Sequence, residues 1–189
     1  ILISNAAILG TLGPIHHQRN DEFIDVMNIN LISNHRLIRS LDPLLKNSIN
    51  PKASFLSSSV ALEARPFWGA YSISKAALQH MVKIWSMENK NNKLSISIIN
   101  PGKTKTKMRR QAMPGENQND LQHPKKVAEA ILNVIFSKEI YKGTIIDIMK
   151  SNLDRMNFNT QILNEDFLNF RENIKYDCII IDAPCSSVG

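Results

Sequence analysis

Cysteine is nearly absent: the 189 residues hold two, Cys178 and Cys185. Two thiols cannot build a disulfide framework, so a cross-linked secreted scaffold is excluded and a reducing cytoplasm is the expected setting. Long apolar runs are missing too. The longest are short, such as CIII near the end, where a membrane span needs roughly 20 residues. No membrane segment is expected. The chain opens on ILIS, which reads as a strand and not as a secretory leader. It lacks an initiating Met, so its natural start is expected to lie upstream. The five histidines form no metal-ligand spacing, and His16 and His17 read as a solvated pair in a loop, so no metal is expected. Aromatic residues make up 6% of the chain, and none interleave with the densest basic run, Lys103, Lys105, Lys107, Arg109 and Arg110. Nucleic-acid binding is one reading of that run, but the run lacks the interleaved rings of a stacking platform. It reads as a solvated, mobile loop or as an attractor of an anionic cofactor or substrate.

What is present describes a globular protein. Hydrophobic residues at 43% and charged residues at 21% suit one packed core, or one domain with a piece of another. Charge is unevenly placed. Residues 1–150 carry 20 lysines and arginines against 11 acidic residues, a net +9, whereas residues 151–189 carry 3 against 6, a net −3. Elements alternate as in an α/β protein. Strands are expected at residues 1–4, in ASFLSS, in LSISIIN and in TIIDIM. Helices are expected from about Asp21 to Lys46, over residues 70–88, and from Pro124 to about Phe136. Pro43 should bend or end the first helix. Residues 101–123 read as a flexible polar loop with Pro114-Gly115 at its centre. These pieces make a parallel sheet with helical crossovers. Asn5, Ser58 and the Pro101-Gly102 pair each follow a strand and therefore emerge at one rim, where a ligand of such a sheet lies.

Tyr71 and Lys75 are four residues apart in AYSISKAAL, and Ser58 precedes the tyrosine by thirteen. On a helix, positions i and i+4 share a face. An ammonium beside a phenol favours the phenolate and lowers its pKa from about 10. A tyrosine tuned that way exchanges a proton with an alcohol or carbonyl near neutral pH.

The flanking blocks carry a family resemblance. ILISNAAIL is similar to the strand and turn that the short-chain dehydrogenase/reductase family writes as Asn-Asn-Ala-Gly, with Ala7 where glycine is usual. DVMNINLISNHRLI resembles its helix bearing the catalytic asparagine, here Asn30. INPGKTKTKM resembles its Pro-Gly motif after the sixth strand. The likeness runs from Ile1 to about Lys150. It implies a Rossmann-like, doubly wound parallel sheet and hydride transfer between NAD or NADP and a small carbonyl or secondary alcohol. It makes Tyr71 the acid/base, with Lys75 lowering its pKa and holding the nicotinamide ribose. Ser58 would orient the substrate oxygen, and Asn30 would support a water link behind Lys75. Asn5, Ala6, Pro101, Gly102, Thr104 and Thr106 would line the cofactor together with Tyr71 and Lys75. The intact protein would be a homo-oligomer. The family's glycine-rich phosphate turn has no counterpart, because no G-x-x-x-G-x-G occurs. The sheet is expected to be incomplete and this chain alone inactive.

A second resemblance covers residues 151–189. Tyr176-Asp177, the apolar CIII and then Asp182-Ala183-Pro184-Cys185-Ser186 are similar to the Asp-Ala-Pro-Cys-Ser segment of RNA 5-methylcytosine methyltransferases of the RsmB/NOP type. That likeness implies S-adenosylmethionine contacts at Asp166 and Asp182, a product-release role for Cys185, and rRNA as partner. The nucleophilic Thr-Cys motif of that family is not in the sequence. Residues 1–150 and 151–189 are thus expected to be two separate units.

Overall fold

The structure, a computed structural model, describes residues 1–148. Four strands form one parallel sheet in the order of the chain: β1, Leu2–Ser4; β2, Lys52–Leu56; β3, Ser95–Asn100; and β4, Lys142–Asp147. The register aligns Leu2 with Ala53, Phe55 with Ile98, and Ile98 with Ile145. β3 is buried at every position, as expected for a strand covered on both faces.

Helices cover both faces. α1 (Asn20–Met27) continues through a π-helical turn, Asn28–Ile32, into α2 (Ser33–Lys46). With α3 (Gly69–Glu88), they pack on the face carrying Phe55, Ile96 and Ile98. The other face carries Ile3 and Ile99 and takes α5 (Pro124–Phe136) through Val127, Ile131 and Ile135. The period-2 alternation of the strands thus feeds two cores. Among the described residues no helix is long and apolar enough to cross a membrane.

Three local expectations need correction. The helix expected over 21–46 is interrupted by the π turn, which is centred on Asn30. Pro43 does not end it. The helix runs on to Lys46, and the Asn47 amide donates to the Pro43 carbonyl at 3.2 Å. So close to the C-terminus, proline removes one backbone bond and little else. Residues 101–123 are not a structureless loop. They contain α4 (Lys107–Ala112), whose N-cap Thr106 accepts from the Arg109 amide at 3.1 Å. They also contain a short 3-10 turn at Gln118–Asp120. The hydroxyl cap, with the pairing of Lys103 and Arg109 to Glu116, explains why a polar, charge-dense stretch folds.

Candidate active site

The carboxyl ends of β1, β2 and β3 open into a cavity of about 540 Å³. Nine of the residues singled out from sequence line it: Asn5, Ala6, Ser58, Tyr71, Lys75, Pro101, Gly102, Thr104 and Thr106. Asn30 does not. It lies behind the cavity, fully buried.

Tyr71 and Lys75 sit one turn apart on α3, 8% and 3% exposed. The Lys75 ammonium stands 6.0 Å from the Tyr71 ring centroid and donates to the Leu56 carbonyl at the end of β2 at 2.9 Å. Here the expected electrostatics are reversed. Burial pushes the Tyr71 phenol above its ordinary value, and the side-chain hydrogen bond with Ser58 pulls it part of the way back. Lys75 is itself lowered to about 8 by burial. Removing both groups from water disfavours the charged form of each, which outweighs their mutual attraction across 6.0 Å. Helical spacing brings the two together; desolvation sets their protonation.

Asn30 builds the floor. Its Oδ1 accepts from the Ile8 amide at 2.9 Å, and its Nδ2 donates to the Ile8 carbonyl at 2.9 Å and to Ser74 Oγ at 3.0 Å. Ser74 Oγ in turn donates to the Tyr71 carbonyl at 2.7 Å. The Asn30 backbone carbonyl accepts from Asn34 Nδ2 at 2.9 Å, and Asn34 Oδ1 accepts from Ser4 Oγ. Both amide hydrogens of Asn30 are therefore engaged, and a water link could use only spare lone pairs. The asparagine couples the loop after β1 to the helix bearing the tyrosine.

Ser57 is fixed between the Ile99 carbonyl, which its amide reaches at 2.7 Å, and Gln79 Nε2 at 2.7 Å. That places Ser58, the next residue, at the rim. The Pro101-Gly102 turn leaves β3 with Gly102 at φ 72°, a conformation that suits glycine, and its amide donates to Asn100 Oδ1 at 3.3 Å. Beyond it, Glu116 receives Arg109 through two bonds of 2.6 and 2.7 Å and Lys103 at 3.2 Å. These cations, Arg109 first, hold the Glu116 carboxyl at about 2.

Sequence reading missed Arg65, Trp68 and Met108, which also line the cavity. Trp68 lies 6.1 Å from the Tyr71 ring, centroid to centroid. Only its place between Ser58 and Tyr71 could have drawn attention to it. Asp166, Asp182 and Cys185, and the whole 151–189 unit, lie outside the described residues.

A family model described as short chain dehydrogenase matches residues 1–117. The chain is 37% identical over 123 residues to an uncharacterized oxidoreductase, YciK, of Escherichia coli, covering 65% of this chain and 48% of that protein. It thus spans about half the length of that curated relative. A short chain dehydrogenase from Salmonella enterica serovar Typhi superposes with a TM-score of 0.74 at 34% identity, over 77% of this chain and 60% of that one. A Shigella flexneri homologue complexed with NADP gives 0.74 at 33%, over 78% and 62%.

Proposed function

The chain belongs to the short-chain dehydrogenase family, and from that premise we propose that its cavity serves hydride exchange between NAD or NADP and a small carbonyl compound or secondary alcohol. One observation carries the reading: Ser58, Tyr71 and Lys75 meet on a single cavity, with the serine placed to pull the tyrosine's pKa down and the lysine buried beneath.

The residues fit a nicotinamide nucleotide. Four basic and no acidic side chains line the cavity among the described residues, which suits a ligand bearing phosphates. Thr104, Thr106 and the Gly102 turn add hydroxyl and backbone donors. When bound, the cofactor supplies or accepts the hydride. In reduction, Tyr71 Oη gives its proton to the carbonyl oxygen. In oxidation, it takes the proton back from the alcohol. Ser58 orients that oxygen and steadies the phenolate. Lys75, with a pKa of about 8, is mostly cationic at neutral pH. It stabilises the deprotonated tyrosine and would hold ribose hydroxyls. Asn5, Ala6 and Pro101 would complete the wall. Asn30 is proposed as a positioning residue, acting through Ile8 and Ser74.

The test is an assay of the complete gene product with NADPH and NADH against a panel of aldehydes, ketones and secondary alcohols. Turnover of at least one pair is expected. Ser58→Ala should lower it and move the basic limb of the pH profile upward, because the bond that pulls Tyr71 down is lost. No oxidation of either cofactor with any carbonyl would overturn the reading. Residues 1–189 contain no glycine-rich phosphate turn, so alone they are proposed to bind the cofactor weakly and to be inactive. Oligomerisation of the intact protein and a cytoplasmic setting are further proposals. For residues 151–189 the Asp-Ala-Pro-Cys-Ser motif supports a second reading, an rRNA cytosine methyltransferase segment using Asp166, Asp182 and Cys185. Titration with S-adenosylmethionine tests it: heat that is lost in Asp182→Ala would support it, and no heat would remove it.

A further inference from the structure

We propose that the substrate carries an anionic group and that Arg65 selects it, a reading that rests on the oxidoreductase assignment above and narrows its substrate class. Arg65 lines the same cavity as Ser58, Tyr71 and Lys75. It belongs to the segment between the serine and the tyrosine, so an anion held there shares the cavity with the proposed reacting oxygen.

The segment is built, not loose. The Gly13 amide donates to the Phe67 carbonyl at 2.9 Å, and Ser72 Oγ donates to the Val60 carbonyl at 2.6 Å. Phe67 is held at φ 73°, a left-handed conformation that costs a non-glycine residue and persists where surroundings impose it. The adjacent Trp68 offers an apolar wall against Tyr71.

The basic side chains of the cavity differ in what already engages them. Arg109 is committed to Glu116 by two short bonds, and Lys103 shares that carboxylate. Lys75 donates to Leu56. Among the described residues the Arg65 guanidinium meets Glu63, through a single contact of 3.3 Å between side chains 41% and 71% exposed. Pairs of that kind are weak and easily exchanged. A carboxylate or phosphate entering the cavity can take the guanidinium from Glu63 at small cost and gain two parallel charge-assisted bonds. No acidic residue lines the cavity to oppose it among the described residues.

Ligand-observed NMR titrations of the complete gene product with para-carboxybenzaldehyde and its neutral methyl ester test this directly. The acid should bind about tenfold more tightly at low salt, the ratio worth one charge-assisted bond. Arg65→Gln should bring the ratio to about one, and Glu63→Gln, which frees the guanidinium, should raise it. Glu63→Gln also decides the matter should Arg65→Gln fail to fold. Equal affinities in the unaltered protein, or a ratio unchanged by both substitutions, would overturn the proposal. So would an Arg65→Gln protein that loses NADPH affinity while keeping its acid-to-ester ratio, since Arg65 would then serve the cofactor. Because binding is read without turnover, a protein that reduces no carbonyl yet keeps the ratio would remove the oxidoreductase reading and leave the anion site.

Discussion

On one wall of the cavity, Tyr71 and Lys75 are 8% and 3% exposed and are fixed by Ser58, Ser74 and the Leu56 carbonyl. On the other, Lys103 and Arg109 converge on Glu116, and the Lys103 side chain is 62% exposed. Burial holds the first wall; ion pairs hold the second, with Arg109 and Glu116 21% and 19% exposed and Lys103 reaching them from water. Buried polar groups are costly to leave unpaired, so on the first wall a substitution that orphans a buried partner costs order. Ion pairs near water contribute little stability and yield readily to competing charge. The proposed chemistry therefore resides in the part of the fold that resists change, and the proposed anion selector, Arg65, takes part in neither pairing of the second wall.

The largest expected effect falls on the buried wall. Tyr71→Phe in the complete gene product should reduce turnover by about 10²–10⁴-fold, the usual contribution of a general acid–base group. The ring still packs, so thermal unfolding should change little. A variant within about threefold of the parent would remove Tyr71 from the chemistry.

Next comes the floor. Asn30→Ala should destabilise by about 1–3 kcal/mol, because it removes a fully buried side chain and both of its bonds to the part-buried amide and carbonyl of Ile8. Denaturant midpoints measure it. A loss as small as that of a surface substitution would erase the contrast between the two walls.

Lys75 gives that contrast a pH dependence. Its pKa falls on folding from 10.5 to about 8, so between those values the unfolded chain holds a proton that the folded one has released. Stability from this group rises with pH across that window and is at its worst below it. In melting curves, Lys75→Met should compare best with the parent below pH 8, and its relative advantage should shrink toward pH 10.5. A difference that is flat with pH would contradict the buried, desolvated lysine.

The smallest effect belongs to the open wall. Glu116 falls from 4.5 to about 2 on folding, so its contribution is complete above 4.5 and fades as pH drops toward 2. Glu116→Gln should shift the melting temperature only slightly at pH 7 and not at all near pH 2. It should, however, alter the salt dependence of anion binding, since Arg109 and Lys103 are released. A large loss of stability would mean that the second wall is as rigid as the first.

Local pattern made much of this legible. The β-branched run in β3, the proline opening α5 and the four-residue spacing of Tyr71 and Lys75 act over one or two turns, and each stands where sequence reading places it. So do the strand ends that bring Asn5, Ser58 and Gly102 to one cavity. The π turn at Asn30 was not legible, because it depends on bonds from Asn30 to Ile8 and Ser74, 22 and 44 residues away.

By itself, the sequence determined the α/β order, a parallel sheet and which side chains meet at its rim, since periodicity and strand–turn punctuation are local properties, whereas the strand order is a tertiary result. The tertiary structure alone decided what those side chains experience. It raised the tyrosine instead of lowering it, because the desolvation of Tyr71 and Lys75 depends on everything packed around them. It ordered α4 and turned a basic run into a clamp, because Glu116 lies seven residues beyond Arg109 and reaches it only once the chain has folded back. It brought Arg65 and Trp68 to the cavity through the pairing of Gly13 with Phe67 and Trp68, which no spacing encodes.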